Sequence, residues 1–90
     1  MKWQVTLDVD AAREFDRLDN SVRKRVAKFL YERLGRLEDP RSIGEALHGS
    51  ELGDYWKYRV GDYRLIARLS DRFVEIIVVH LGHRREVYRR

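Results

Sequence analysis

Lysine and arginine side chains alternate with aromatic and aliphatic ones between residues 55 and 69, in the stretch YWKYRVGDYRLIARL. A Gly-Asp dipeptide at 61–62 interrupts the alternation and forms a two-residue turn, which predicts a β-hairpin. When the strands pair outward from this turn, Arg59 lies directly opposite Arg64, and Lys57 lies further along the same strand face. Like charges opposite one another destabilise a sheet by up to about 1 kcal/mol per pair, so the pattern favours a bound polyanion that offsets this cost. The alternative is that the cations are solvated surface charges whose long side chains splay apart.

The same alternation divides the hairpin into an apolar face and a cationic face. The apolar face carries Trp56, Tyr58, Val60, Tyr63, Leu65, Ala67 and Leu69. The cationic face carries Tyr55, Lys57, Arg59, Arg64, Ile66 and Arg68, with no acidic residue among them. The set expected to be exposed together is Lys57, Arg59 and Arg64, and the set expected to be largely buried is Trp56, Tyr58, Tyr63 and Leu65.

The length and composition of the chain predict a single domain spanning residues 1–90. There is no cysteine, which excludes disulfide frameworks and thiolate metal sites. The N-terminal sequence MKWQVTLDVD alternates and turns acidic, unlike a signal peptide, and no apolar run approaches membrane-spanning length. We therefore expect a cytoplasmic protein that does not bind membranes.

The net charge of +4 is distributed unevenly along the chain. Residues 1–54 hold 10 basic and 11 acidic side chains, whereas residues 55–90 hold 9 basic and 4 acidic ones. A nearly neutral first part followed by a basic last part predicts one basic surface for an anionic partner such as nucleic acid.

The first part of the chain predicts one strand followed by a helical hairpin. Residues 2–7 alternate as in a half-buried strand, and Asp8 or Asp10 can cap the helix that follows. The first helix carries the apolar stripe Ala11, Phe15 and Leu18. After an interruption at 19–21, a longer second helix carries the apolar stripe Val22, Val26, Phe29, Leu30, Leu34 and Leu37. These periodic stripes indicate that both helices pack on one core.

The second part predicts a loop and three strands. Residues 38–54 contain a proline and three glycines and are expected to form a loop. The hairpin follows, and the nearly continuous apolar run at 73–81 is typical of a central strand covered on both faces. We predict an α+β fold with the order β-α-α-β-β-β. In it, a two-helix hairpin packs on a four-stranded, mainly antiparallel sheet with the first strand at an edge.

The side chains available for chemistry are cations and aromatics rather than metal ligands or a hydrolytic triad. His48, His80 and His83 lack metal-ligand spacing and stand among cations that oppose metal binding. No glycine-rich phosphate loop is present. Lysine, arginine, tyrosine and histidine on strands suit the binding and cleavage of RNA, since cations stabilise a charged phosphorane and aromatics stack on bases. Such cleavage needs no cofactor, because the ribose 2′-hydroxyl is the nucleophile.

The segment KYRVGDYRLI, followed after one more strand by GHRREVYR, resembles the RelE branch of the RelE/ParE toxin superfamily. The EDPRS loop, the ALHGS segment and the order of elements extend this resemblance along essentially the whole chain. The resemblance implies a RelE-like fold and the toxin component of a type II toxin-antitoxin system. The implied activity is ribosome-dependent cleavage of mRNA in the A site, which inhibits translation, and the implied protein partner is a small RelB-like antitoxin.

The resemblance also implies which residues act at the RNA. The catalytic residues of the family fall on Lys57, Arg59, Arg64, Arg84 and Tyr88. His83 is a further catalytic candidate, and the neighbouring cations expected to bind RNA are Arg68, Arg85 and Arg89.

Two residues are candidates for the base that accepts the 2′-hydroxyl proton. Arg59 stands where the best-known member has a lysine, and a guanidinium is effectively always protonated, so Arg59 cannot be a base. Lys57 is the preferred base, because two neighbouring guanidiniums disfavour its charged form. His83 is the alternative, since histidine titrates nearest neutrality, although it could instead only cap the end of its strand.

Two other functions compete with RNA cleavage. The ParE branch shares the architecture but acts by binding DNA gyrase, and it would not need the cationic set of Lys57, Arg59, Arg64, Arg84 and Tyr88. A nucleic-acid-binding module without catalysis is the other alternative, since binding and cleaving cations look alike in a sequence.

Overall fold

The computed structural model describes residues 2–47 and 55–83, which contain two α-helices and five strands. The helices are α1, Val9–Asp16, and α2, Asn20–Lys28. The strands are β1, Gln4–Leu7; β2, Glu45–Ala46; β3, Tyr55–Val60; β4, Tyr63–Ser70; and β5, Glu75–His83.

The five strands form one mixed sheet in the order β1-β5-β4-β3-β2. β1 is parallel to β5, and the other neighbouring strands are antiparallel. The α+β class, the two helices and the edge position of the first strand are confirmed. The sheet has one strand more than predicted, because Glu45 and Ala46, which were expected in a loop, pair with Lys57 and Trp56 of β3.

Both helices cover the apolar face of the sheet. Asp8 caps α1 by accepting a hydrogen bond from the Ala11 backbone N–H at 2.9 Å. Beyond α2 the chain stays helical through a π-helical turn, Phe29–Arg33, and a 3-10 turn, Leu34–Arg36. The predicted apolar stripe is confirmed in spite of this irregularity, since its central residues Val26, Leu30 and Leu34 are fully buried. Among the described residues, no helix has the length and apolar character that crossing a membrane requires.

The β3–β4 hairpin has the predicted register. Arg59 is opposite Arg64, and the other pairs continue outward to Tyr55 and Arg68. Gly61 has φ +59°, a left-handed conformation that the first position of this turn type needs and that glycine adopts without steric cost. The turn chemistry therefore fixes which side chains of the two strands share a face.

β5 lies in the interior of the sheet between β1 and β4, as its apolar sequence predicts. The predicted cover on both faces is wrong, because Ile76 and Val78 are buried on one face whereas Ile77 and Val79 on the other face are only half-buried. Its pairing with β4 shifts by one residue, because Ile66 pairs with His80 whereas Ala67 pairs with Val78. Beyond this β-bulge, β5 runs to His83 beside the turn end of the hairpin, where Gly82 is opposite Arg64. The bulge thus helps to set the position of the C-terminal end of β5 beside the cationic residues.

Candidate functional site

Three cations of the hairpin line one pocket. Lys57 and Arg59 alternate along β3, and Arg64 stands opposite Arg59 on β4, so that the three share one face of the sheet. The pocket has a volume of about 290 Å³, and its lining residues are Ile43, Gly44, Glu45, Lys57, Tyr58, Arg59 and Arg64. The structure therefore brings together three of the residues that the sequence assigns to catalysis.

The exposure of these cations differs from the prediction. Arg59 is exposed as expected, but Arg64 is only 6% exposed and the Lys57 side chain only 16% exposed. Arg64 lies on the interior strand β4 and lines the pocket together with Ile43 and Gly44, so it is buried where Arg68, on the same strand, is exposed. Lys57 is covered because the unpredicted strand β2 lies beside it.

The expected buried set is also confirmed only in part. Tyr58 and Leu65 are buried, whereas Trp56 and Tyr63 are half-buried. Trp56 lies on a strand that only the two-residue β2 covers on its outer side, and the Arg41 guanidinium is 6.0 Å from the Trp56 ring centroid. Tyr63 lies at the start of β4 beside the turn, so solvent reaches its ring.

Glu45 adds a carboxylate to the pocket that the sequence analysis did not identify. Its Oε1 lies 3.0 Å from Lys57 Nζ, because the two residues face each other across the β2–β3 pair. The hydrogen bond and charge of Lys57, with smaller contributions from Arg59 and Arg64, lower the pKa of the Glu45 carboxyl. Glu45 is therefore ionised at neutral pH and belongs to the charge arrangement of the pocket.

The Glu45 carboxylate offsets part of the repulsion between the two opposed arginines. Arg59 and Arg64 are direct cross-strand neighbours, an arrangement that costs stability unless negative charge is near. Glu45 supplies one negative charge against the three cations of the pocket. An excess of positive charge remains, which suits an anionic ligand such as a phosphate.

A buried contact fixes the segment that carries Glu45. The Tyr58 hydroxyl donates a hydrogen bond to the Pro40 carbonyl oxygen at 2.9 Å, and burial raises the pKa of Tyr58, so the hydroxyl keeps its proton. A 3-10 turn, Pro40–Ile43, then leads to Gly44, which packs against the Tyr58 ring. Tyr58 thereby positions the backbone immediately before β2.

We expect Gly44→Ala to disturb this segment. A Cβ atom at Gly44 would lie 2.6 Å from Tyr58 Cε1, and the buried ring cannot move away without losing its packing. Such overpacking typically costs about 1–3 kcal/mol in the free energy of unfolding, which urea denaturation would measure. Ser42→Ala, which loses only an exposed hydrogen bond from the hydroxyl to the Asp39 carbonyl oxygen, is the control in the same turn. An unchanged midpoint for Gly44→Ala would show that the segment yields without strain.

His83 and Arg68 lie outside the pocket lining. His83 ends β5, and its ring contacts the Tyr63 ring edge to face at a centroid distance of 5.7 Å. Arg68 is exposed on β4, four residues from Arg64, or about 13 Å along an extended strand. The structure thus separates these two candidates from the three pocket cations.

A carboxylate on α1 holds the end of β5 that leads to His83. Glu14 Oε1 accepts a hydrogen bond from the Leu81 backbone N–H at 2.8 Å and lies 3.2 Å from His80 Nδ1. β1 ends before this point, so Glu14 provides an acceptor to the part of β5 that β1 does not pair with. This contact couples the position of α1 to the C-terminal half of β5.

Four predicted site residues lie outside the described residues, namely Arg84, Arg85, Tyr88 and Arg89. Within residues 2–47 and 55–83, no three histidine or carboxylate side chains come together as metal ligands.

The chain is similar in sequence and in fold to known proteins. A model of the family described as ParE toxin of type II toxin-antitoxin system, parDE, matches residues 5–88. Toxin RelG of Mycobacterium tuberculosis (strain ATCC 25618 / H37Rv) is 29% identical over 90 residues, which cover 100% of both chains.

Solved structures with the same fold include toxins bound to antitoxins. The toxin-antitoxin complex RelBE2 from Mycobacterium tuberculosis matches with a TM-score of 0.82 and 24% identity, covering 92% of each chain. A mutant of E. coli toxin RelE, in complex with an antitoxin RelBc peptide, matches with a TM-score of 0.70 and 30% identity, covering 98% of this chain and 92% of that one.

Proposed function

The chain belongs to the ParE toxin family of type II toxin-antitoxin systems, within the RelE/ParE superfamily, and we propose that it is a ribosome-dependent endoribonuclease that cleaves mRNA in the A site. The observation that carries this proposal is the pocket shared by Lys57, Arg59 and Arg64. Three cations around one small pocket match the charge that develops on a phosphate under attack.

The proposed reaction is an intramolecular transfer within the RNA. The ribose 2′-oxygen attacks the adjacent phosphorus, so that a P–O2′ bond forms and the P–O5′ bond breaks. The 2′-hydroxyl proton passes to a base, and the leaving 5′-oxygen takes a proton from an acid. Arg59 and Arg64 stabilise the added negative charge on the phosphoryl oxygens, and a guanidinium does so without losing its own proton. No metal or cofactor is needed.

Lys57 is the pocket cation that can transfer a proton, since the two others are guanidiniums. Its contact with the Glu45 carboxylate favours the ammonium form, because an opposite charge within about 4 Å stabilises a charged group. That form suits a proton donor to the 5′-oxygen, whereas the base role assigned from the sequence requires the neutral amine. The direction of the pH dependence separates the two roles.

The C-terminal residues complete the proposed site. Arg84 is proposed to stabilise the phosphate together with the pocket cations, and Tyr88 to act at the RNA. Arg68, Arg85 and Arg89 are proposed to bind flanking RNA. His83 is the alternative base, and its support is its place at the end of β5, next to Gly82 opposite Arg64.

Single-turnover cleavage tests the proposal. Purified toxin is mixed with programmed ribosomes carrying an mRNA, and separately with the same mRNA free in solution. We expect cleavage in the A-site codon only on the ribosome. Equal rates in both reactions would exclude ribosome dependence, and the absence of cleavage in both, with protein that arrests growth, would exclude the endoribonuclease.

Gyrase inhibition is the second candidate function, because the matching family model describes ParE toxins. A gyrase inhibitor does not need a pocket that combines three cations, so replacing Arg64 should then leave toxicity unchanged. Affinity capture from cells that carry the native operon provides a direct test. Recovery of gyrase without a small antitoxin would favour this second function.

A RelB-like antitoxin is the proposed protein partner in the cytoplasm. Support comes from the similar folds that were solved as complexes of toxin and antitoxin. The cationic pocket and the sheet edge at β2 suit an extended antitoxin segment with an acidic portion. Capture from cells with the native operon should therefore recover a small acidic protein in stoichiometric amounts.

A further inference from the structure

Glu45 is the only carboxylate among the described residues that line the cationic pocket. We propose that Glu45 is an internal substitute for the substrate phosphate: its carboxylate binds Lys57 in the free toxin and is displaced when an RNA phosphate enters. This inference rests on the proposed function and assigns a further role within the same site.

The geometry shows which of the two partners is fixed. The Lys57 side chain is 16% exposed, whereas the Glu45 side chain is 72% exposed. The ammonium is therefore held by its surroundings, while the carboxylate approaches it from the solvent side. Arg59 and Arg64 also act on the Glu45 carboxylate, so it lies in the field of the same three cations that a phosphate would meet.

Displacement of Glu45 requires little structural change. β2 has only two residues and forms the edge of the sheet, and rotation of the Glu45 side chain leaves its backbone pairing with Lys57 intact. The Glu45 side chain is 72% exposed, so water solvates the carboxylate when it turns away from Lys57, and the contact opens at modest cost. A phosphate in the pocket can contact the Lys57 ammonium and accept paired hydrogen bonds from a guanidinium, so it can replace the Glu45 carboxylate.

This arrangement disfavours the binding of free RNA. An anion entering the pocket competes with Glu45 for Lys57 and is repelled by the carboxylate until that side chain turns away. On the ribosome the mRNA is held in place, so its phosphate meets the pocket at a high effective concentration and overcomes this competition. Glu45 thereby favours positioned RNA over free RNA.

Binding of a single-stranded DNA hexanucleotide tests the inference, because DNA lacks the 2′-hydroxyl and is not cleaved. Fluorescence anisotropy would measure its affinity for the purified toxin over a range of salt concentrations. We expect Glu45→Gln to tighten binding by roughly three- to tenfold, because the charge that repels phosphate and competes for Lys57 is lost. The salt dependence should steepen by up to about 0.7 in log–log slope, since phosphate then no longer replaces an internal anion at Lys57.

Glu38→Gln is the matched control. Glu38 forms an exposed ion pair with Lys2, away from the pocket lining, so this variant removes the same charge and the same kind of contact. We expect its oligonucleotide affinity and salt slope to stay close to those of the wild type. Urea denaturation checks that both variants remain folded.

Three outcomes would overturn the inference. Equal affinity of Glu45→Gln and the wild type would show that the carboxylate does not compete with phosphate. If Glu38→Gln tightened binding as much as Glu45→Gln, the change in affinity would come from the net charge of the protein and not from the pocket. Unchanged affinity combined with lost cleavage on ribosomes would make Glu45 a participant in proton transfer. Cleavage by the wild-type toxin on ribosomes is measured in a separate experiment. If Glu45→Gln bound the oligonucleotide more tightly but the wild type did not cleave mRNA, this inference would be supported and the proposed endoribonuclease activity rejected.

Discussion

Arg64→Ala is expected to lower the rate constant for mRNA cleavage on programmed ribosomes by about a hundredfold or more. Arg64 is 6% exposed and lines the pocket beside Lys57 and Arg59, so its charge acts where water screens it little. The contact should be strongest when negative charge develops on the phosphoryl oxygens. Single-turnover kinetics should therefore show a large loss in the chemical step and a much smaller loss in toxin binding to the ribosome.

Two controls separate this catalytic effect from a change in fold or net charge. Arg72→Ala removes the same charge from the exposed turn after β4 and should leave the rate close to the wild-type value. Arg64→Lys keeps the charge but loses the planar pair of donors, so its rate should lie between those of the wild type and Arg64→Ala. If a folded Arg64→Ala variant cleaved mRNA at the wild-type rate, the pocket would have no role in the mechanism.

Arg84→Ala is expected to lower cleavage to a similar extent, on the resemblance to the RelE branch. If the two arginines act on the same phosphate, the double variant should lose less than the product of the two single losses.

The hairpin shows how far local sequence rules extend. The Gly-Asp turn fixed the register, because a two-residue loop pairs the flanking residues one by one, and the observed pairs follow from Arg59 opposite Arg64. Side-chain alternation then placed Lys57 on the same face as these arginines. The central part of the candidate site could therefore be predicted from about ten consecutive residues.

The parts that were missed depend on contacts between segments distant in sequence. β2 has only two residues, too few for an alternating pattern, and Glu45 meets Lys57 twelve residues further along the chain. The burial of Arg64 likewise depends on Ile43 and Gly44, which line the pocket together with it. No pattern in the sequence singles out Glu45 as a pocket residue, since Glu51 and Asp54 are also acidic and stand nearer to the hairpin.

The helical segment illustrates a different limit. The apolar stripe predicted the buried residues Val26, Leu30 and Leu34 correctly. The same stripe did not reveal that the helix changes to a π-helical turn at Phe29 and a 3-10 turn at Leu34. Spacings of three to five residues keep side chains on roughly one side, so the pattern survives while the hydrogen bonding changes.

Lys57→Arg is expected to lower ribosomal cleavage by at least about tenfold, whereas His83→Ala should retain activity within about threefold of the wild type. Lys57→Arg keeps the positive charge in the pocket but replaces a group that can transfer a proton by one that stays protonated. His83 is not among the described residues that line the pocket, and its ring packs against Tyr63. Both variants would be compared in single-turnover reactions over a series of pH values.

The pH dependence of the wild-type rate then assigns the direction of proton transfer. If Lys57 is the base, the rate rises with pH until its amine is deprotonated. If Lys57 is the acid, the rate falls as the ammonium loses its proton. Glu45→Gln removes the carboxylate that stabilises the ammonium in the free toxin, so it should move this transition to lower pH when ribosomes are below saturation and have little effect at saturation, where the RNA phosphate has displaced Glu45. A wild-type profile that instead titrates near neutrality, together with an inactive His83→Ala and an active Lys57→Arg, would transfer the role to His83. Lys57 would then act only as a fixed charge, and its ion pair with Glu45 would serve binding rather than proton transfer.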